Sequence, residues 1–263
     1  MKARILLTND DGIYSAGLWA AWEALSPMAE VHIVAPATQQ SAVGRSISIF
    51  EPIRAHEVEL QGARGIAVAG KPTDAVIIGL YALRVDPTLV VSGINIGENL
   101  SFESIMTSGT VGAALEAANQ GTPAIAFSLQ VEDQGEKFDD PRCYGRSCEA
   151  AKGIVRDVVT RVLADGFPPE ADVINVNIPS RILGGYEVTR LSRKLFHTGV
   201  EERLDPRKRP YYWINGPLVE DAEEGTDVHA VRKGNISVTP ITLDCTAHRA
   251  AGTMERLFPG PVS

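Results

Sequence analysis

Short apolar runs alternate with helical patterns along the sequence, and this alternation constrains the fold more than any other feature. Residues 4–8 predict a buried strand, Leu18, Trp22 and Leu25 recur at helical spacing, and residues 31–35 form a second apolar run. A strand, a helix and a strand in such close succession are typical of a βαβ unit, in which the two strands are parallel.

The same alternation continues to about residue 190. Further helices are predicted at 72–83, 109–119 and 145–164, and further strands at 88–91, 123–128 and 172–177. Two additional strand candidates, 56–60 and 66–69, predict an inserted hairpin. Because each strand is short and rich in Val and Ile, we expect an α/β fold whose mostly parallel sheet is covered by helices on both faces.

The composition changes after about residue 190, where a charge-rich stretch precedes aromatic residues 210–214 and a strand-like run at 235–241. We interpret residues 1–190 as the α/β body and residues 191–263 as a β-rich extension with a short terminal helix. A long hairpin with an aromatic face fits a dimerisation arm, and it also fits an ordinary edge hairpin.

Charge and cysteine content narrow the functional classes. The chain has 25 Lys and Arg against 33 Asp and Glu, a net charge of −8, which argues against a nucleic-acid partner. Cys143, Cys148 and Cys245 are too few and too scattered for a disulfide framework and indicate reduced thiols. The longest apolar stretch, 75–83, is too short to span a membrane, so we expect a cytoplasmic protein without a membrane partner.

Polar residues that follow the predicted strands are the candidates for chemistry, because ligands bind beyond the carboxyl ends of parallel strands. Asp10 and Asp11 follow the first strand, and adjacent carboxylates are suitable ligands for a hard cation such as Mg²⁺ or Mn²⁺. An Asx turn that caps the next helix is the alternative interpretation.

Two further loops offer oxygen and nitrogen groups to the same edge of the sheet. In the loop after the second strand, Ser41 is a candidate hydroxyl ligand, and Gly44 would let backbone N–H groups approach an anion. After strand 88–91, Asn95 offers an amide oxygen to a metal and Asn99 offers donors to a phosphate. A plain surface loop and two turn asparagines are the alternatives.

Ser108, Gly109 and Thr110 begin a predicted helix, whose free N–H groups and dipole form an anion site. Ser108 would also serve as an ordinary N-cap. Together these signals predict a metal-assisted phosphoryl site in which Asp10 and Asp11 are catalytic. Either a water activated by the cation attacks the phosphate, or Asp10 forms an aspartyl-phosphate; the sequence leaves both open.

Longer motifs carry a family resemblance. They are ILLTNDDGI (5–13), VAPATQQSAVGRSISI (34–49), GKPTDAV (70–76), LVVSGINIGEN (89–99), TSGTVGAALEA (107–117) and GTDVHAV (225–231). With them the sequence resembles the SurE family of stationary-phase survival proteins over nearly its whole length. The conjunction of NDDG, SGIN and SGTVGAA makes the resemblance specific.

The resemblance implies a Rossmann-like, doubly wound body and a C-terminal hairpin exchanged between subunits of a dimer or tetramer. It implies a phosphatase for nucleoside 5′-monophosphates, with 3′-monophosphates and short polyphosphate as further substrates, and one Mg²⁺ or Mn²⁺ per subunit. The family's metal ligands fall on Asp10, Asp11, Ser41 and Asn95. Its phosphate-proximal positions fall on Asn99 and Ser108, with Gly109 and Thr110 beside them.

Other phosphate-handling classes with acidic residues after the first strand fit less well. A phosphoacceptor receiver needs an isolated Asp at a later strand end, where this chain has Asn95 and Ser128. The haloacid dehalogenase type needs Asp-x-Asp, and a zinc deacetylase needs His ligands near the acidic turn. A non-catalytic nucleotide-binding protein remains the alternative.

Overall fold

The structure, a computed structural model, describes residues 2–60, 62–132 and 148–259. Cys143, the first residues of the helix predicted at 145–164 and the last residues of the predicted extension lie outside the described residues. The strands are β1 (Arg4–Thr8), β2 (Glu30–Pro36), β3 (Arg54–Leu60), β4 (Ala63–Ala69), β5 (Leu89–Ile96), β6 (Ala124–Leu129), β7 (Val173–Ile178), β8 (Tyr186–Val188), β9 (Gly199–Leu204), β10 (Pro210–Asn215) and β11 (Ile236–Ile241).

The helices are α1 (Ala16–Leu25), α2 (Pro72–Ile77), α3 (Ser101–Thr107), α4 (Gly109–Asn119), α5 (Glu149–Asp165), α6 (Asp227–Arg232) and α7 (Ala251–Leu257). A π-helical turn, Ile78–Ala82, continues α2, and a 3₁₀ turn, His248–Ala250, precedes α7. In the described part of the chain, no helix is long and apolar enough to cross a membrane.

The described strands β1–β8 and β11 form one sheet in the order β3-β4-β2-β1-β5-β6-β7-β11-β8. Neighbouring strands are parallel from β4 to β7. At one edge β3 runs antiparallel to β4, and at the other β11 runs antiparallel to β7 and parallel to β8. The predicted α/β fold with a mostly parallel sheet is confirmed. The order reverses between β1 and β5, and such a switch point opens a crevice at the carboxyl ends of the strands.

Apolar residues on both faces of the sheet are buried by helices. One face packs against α1 and α5, with Leu18 and Val155 fully buried, and the other packs against α2 and α4, with Leu6 and Val111 fully buried. This two-sided cover explains why the central strands are almost continuously apolar.

The hairpin predicted at 56–60 and 66–69 is confirmed as β3 and β4, and it joins the central sheet because β4 pairs in parallel with β2. One predicted boundary differs from the structure. Strand β11, assigned from the sequence to the extension at 191–263, lies in the central sheet between β7 and β8. The α/β body therefore includes a strand from beyond residue 190. Strand β11 pairs with the edge of β7 that would otherwise be unpaired.

The described β9 and β10 form a separate antiparallel ribbon. Its aromatic and aliphatic side chains are exposed, among them Tyr212, Trp213 and Ile214.

Candidate active site

The turn after β1 is built by its own side chains. Asn9 Oδ1 accepts the N–H of Gly12 at 3.2 Å, and Asn9 Nδ2 donates to Ser15 Oγ at 2.7 Å. Gly12 has a φ of +97°, a backbone conformation that glycine adopts without a steric penalty. This tight turn holds Asp10 and Asp11 at the switch point, where both are buried.

Asp10 receives its hydrogen bonds from the start of α4. The Thr110 hydroxyl donates to Asp10 Oδ1, and the backbone N–H groups of Gly109 and Thr110 lie near the carboxylate and favour its charged form. Burial raises the pKa of Asp10, and these donors oppose the rise. The N-terminus of α4 therefore faces the Asp10 carboxylate, and Gly109 and Thr110, predicted beside the phosphate, hold Asp10.

Asp11 is held more loosely. Its Oδ2 accepts the N–H of Ile96 at 3.2 Å, and its Oδ1 accepts Gln39 Nε2 at 3.4 Å. Burial and the neighbouring Asp10 charge both raise the pKa of Asp11.

The other predicted metal ligands lie on the same cavity. Asn95 is near the end of β5, and its Nδ2 donates to Gly97 O at 2.7 Å, which leaves Oδ1 free of that bond. Ser41 is exposed on the loop after β2. Asp10, Asp11, Ser41 and Asn95 all line one cavity of about 490 Å³.

This donor set fits a divalent cation. Two carboxylates, a hydroxyl and an amide oxygen are hard ligands of the type that Mg²⁺ and Mn²⁺ prefer. The mutual repulsion that raises the pKa of Asp11 is the kind of effect that a bound cation would reverse. The residues described here include no group of three or more His, Cys, Asp or Glu placed to hold a metal, so neutral oxygens would have to complete the set.

The predicted phosphate residues divide into two groups. Asn99 and Ser108 line the cavity, and the Ser108 hydroxyl accepts the N–H of Val111 at 3.1 Å, as an N-cap does. Gly44 has a different contact: its N–H donates to Thr107 O at 2.8 Å and holds the loop against the end of α3. That N–H is therefore already engaged within the protein.

Asn99 is clamped by residues that the sequence analysis did not select. Asn177 Oδ1 accepts the Asn99 N–H at 2.8 Å, and the Asn175 and Asn177 amides donate to Asn99 O at 2.9 and 3.1 Å. Asn99 Nδ2 donates to Ser128 Oγ at 2.8 Å. A usable signal was present, because Asn175 and Asn177 are polar residues two apart in the otherwise apolar β7.

Ser104 and Thr107 of α3, together with Leu195 and Phe196, also line the cavity. These four residues form a wall of hydroxyl and apolar groups. The cavity thus offers such groups in addition to its carboxylates and amides.

Comparisons with known proteins point to one family. The family model described as Survival protein SurE matches residues 5–198. The chain is 76% identical to the 5′-nucleotidase SurE of Methanoregula boonei, over 98% of this chain and 99% of the relative. It is 72% identical to the 5′-nucleotidase SurE of Methanoculleus marisnigri, over 99% of each chain. The crystal structure of the SurE protein from Aquifex aeolicus superposes with a TM-score of 0.82 at 35% identity, over 97% of this chain and 99% of that one.

Proposed function

The chain belongs to the SurE family, and we propose that it is a 5′-nucleotidase: a divalent-metal-dependent phosphomonoesterase that hydrolyses nucleoside 5′-monophosphates to nucleoside and phosphate. One observation carries the proposal: the four candidate metal ligands, Asn99 and Ser108 line a single cavity at the switch point of the sheet. Relatives that align along almost the whole chain carry the name 5′-nucleotidase, which supports the same activity.

The contacts of the two carboxylates suggest different roles for them. Asp10 is fixed by the Thr110 hydroxyl and by close packing against Gly109, as suits a rigid metal ligand. The hydrogen bonds to Asp11, at 3.2 and 3.4 Å, are long, which suits a carboxylate that turns toward the attacking water and accepts its proton. We therefore favour water over Asp10 as the nucleophile.

The remaining residues bind and orient the substrate. We assign the phosphate oxygens to Asn99, whose backbone is clamped on both sides, and to Ser108. The nucleoside would lie along Ser104, Thr107 and Phe196. A cation bound by Asp10, Asp11, Ser41 and Asn95 would supply positive charge opposite the phosphate and lower the pKa of water.

The test is phosphate release from AMP and GMP with Mg²⁺, Mn²⁺ or EDTA, with 3′-monophosphates and short polyphosphate in the same panel. We expect release only with a cation, and about a thousandfold lower kcat/KM for Asp10→Asn. Asp221→Asn, which changes a carboxylate in an exposed loop, is the matched control and should retain full activity. Full activity of Asp10→Asn would refute the assigned site, and nucleotide binding without phosphate release would favour the non-catalytic alternative.

A further inference from the structure

Asp227 is a fully buried carboxylate that the proposed chemistry does not use. It is the first residue of α6, and its Oδ2 accepts the N–H of Ser101 at 2.7 Å. Its Oδ1 accepts the N–H of Ser192 at 2.8 Å. Because Phe102 N–H also donates to Ser192 O at 2.7 Å, three distant segments of the chain meet at this carboxylate.

Two of these segments continue into the cavity wall formed by Ser104, Thr107, Leu195 and Phe196. Helix α3 begins at Ser101 and carries Ser104 and Thr107, and the segment that follows Ser192 carries Leu195 and Phe196. The relative position of the two halves of this wall therefore depends on the junction at Asp227.

The backbone conformation of Ser101 independently requires a restraint at this junction. Ser101 has a φ of +73°, in the left-handed region that residues with a Cβ seldom occupy. A residue in that conformation persists only where its surroundings hold it, and the hydrogen bond from Ser101 N–H to Asp227 is such a restraint.

We propose that Asp227 is a positioning residue for the nucleoside end of the substrate. It fixes the position of α3, which carries Ser104 and Thr107, relative to the segment that carries Leu195 and Phe196. The phosphate end does not depend on Asp227 in the same way, because Asn99 is held separately by Asn175, Asn177 and Ser128. The inference rests on the proposed function, since it concerns how a nucleotide is recognised.

The test is Asp227→Asn, which keeps one acceptor oxygen and replaces the other with an amide that cannot accept an N–H. We expect the KM for AMP to rise about tenfold, because one buried donor loses its partner and the wall shifts. The kcat, the Ki of inorganic phosphate as an inhibitor and the Kd for Mn²⁺ should stay within about twofold of wild type, because Asn99 is anchored separately and Asp10 and Asp11 lie on the turn after β1.

A second variant tests the mechanism. Ser101→Gly removes the penalty of the positive φ, so the double variant Asp227→Asn with Ser101→Gly should recover most of the loss in KM. Val159→Ala, a cavity-forming change in α5, is the control for a general loss of stability and should leave the KM for AMP unchanged.

An unchanged KM in folded Asp227→Asn would overturn the inference. So would an equal weakening of AMP, phosphate and Mn²⁺ binding, or a failure of both Asp227 variants to fold, because each would indicate a general structural role. These outcomes are distinct from failure of the proposed function, in which wild-type protein would release no phosphate from AMP with any cation.

Discussion

Gly109 lies so close to Asp10 that the absence of a side chain is a requirement of the site. A Cβ at Gly109 would lie 2.6 Å from Asp10 Cβ and 2.9 Å from Asp10 Oδ2. Gly109→Ala should therefore displace the Asp10 carboxylate and lower kcat/KM about a hundredfold, measured by phosphate release. Gly153→Ala in α5 is the matched control, because its Cβ would meet nothing within 4 Å.

The control should keep full activity and gain about 0.5–1 kcal/mol in the free energy of unfolding, since alanine is favoured in a helix interior. Activity of Gly109→Ala equal to that of the control would show that Asp10 need not stay in place.

The raised pKa of Asp11 makes the free energy of unfolding depend on pH. The Asp11 pKa is raised in the folded protein, so without a cation the protonated carboxyl is favoured. Its contribution to the free energy of unfolding is greatest below the ordinary carboxyl pKa of about 4 and is lost as the pH rises through the raised value. Asp11→Asn should remove this loss and stabilise the EDTA-treated protein at pH 8 by roughly 2 kcal/mol in chemical denaturation.

Thermal unfolding with Mn²⁺ should favour wild type over Asp11→Asn. The cation should raise the melting temperature of wild type and leave that of Asp11→Asn nearly unchanged, because the variant lacks a ligand. A stability difference that does not vary between pH 4 and pH 8 would contradict the assigned cause.

At the scale of elements, the loop after β2 that carries Ser41 is fixed by buried groups on two helices. Arg45 Nε donates to Glu116 Oε2 of α4 at 2.8 Å, and the Glu116 side chain is only 5% exposed. Ser48 N–H and Oγ donate to Asp74 of α2 at 2.9 and 2.7 Å. The loop is thus attached to the same helix whose N-terminus holds Asp10.

Weakening this attachment should loosen the site without removing a ligand. Glu116→Gln should weaken Mn²⁺ binding about fivefold, because Arg45 loses its charged partner and Ser41 becomes less ordered. The control is Glu57→Gln in the exposed pair with Arg64, where the change in the free energy of unfolding should stay below about 0.5 kcal/mol. Isothermal titration calorimetry measures the affinity, and equal Mn²⁺ affinity in both variants would refute a role for this attachment.

At the scale of the whole molecule, the β9–β10 ribbon stands out because its apolar side chains are exposed in the single chain. A lone two-stranded hairpin is marginally stable in water, and exposed apolar patches mark interaction surfaces. Ile214 is 82% exposed and Trp213 is 57% exposed. These observations support the proposal that the ribbon packs against a second copy of the chain, in a dimer or tetramer.

Light scattering after size exclusion tests this proposal. Trp213→Glu combined with Ile214→Glu places charges on both faces of β10 and should shift the protein to a smaller species. Glu202→Gln on β9 is the control and should leave the oligomer intact. A monomeric wild type would contradict the proposal.

Local chemistry made much of this protein predictable from its sequence. Helix α4 begins and ends where the helical pattern at 109–119 predicts, and β1 and α1 follow their apolar periodicity closely. The turn at Asp10 and Asp11 is equally local, because Asn9 and Gly12 build it within a few residues. The sequence by itself therefore determined the parallel α/β class and the residues presented at the strand ends.

Only the tertiary structure decided which distant segments complete the fold and the site. Strand β11 enters the central sheet through pairing with β7, and Asp227 reaches Ser101 from 126 residues away. The attachment of Asn99 to Asn175 and Asn177 likewise depends on β7 lying next to β6 in the sheet. Such contacts follow from strand order and helix packing, which no local periodicity encodes, because their partners are neighbours in space and not along the chain.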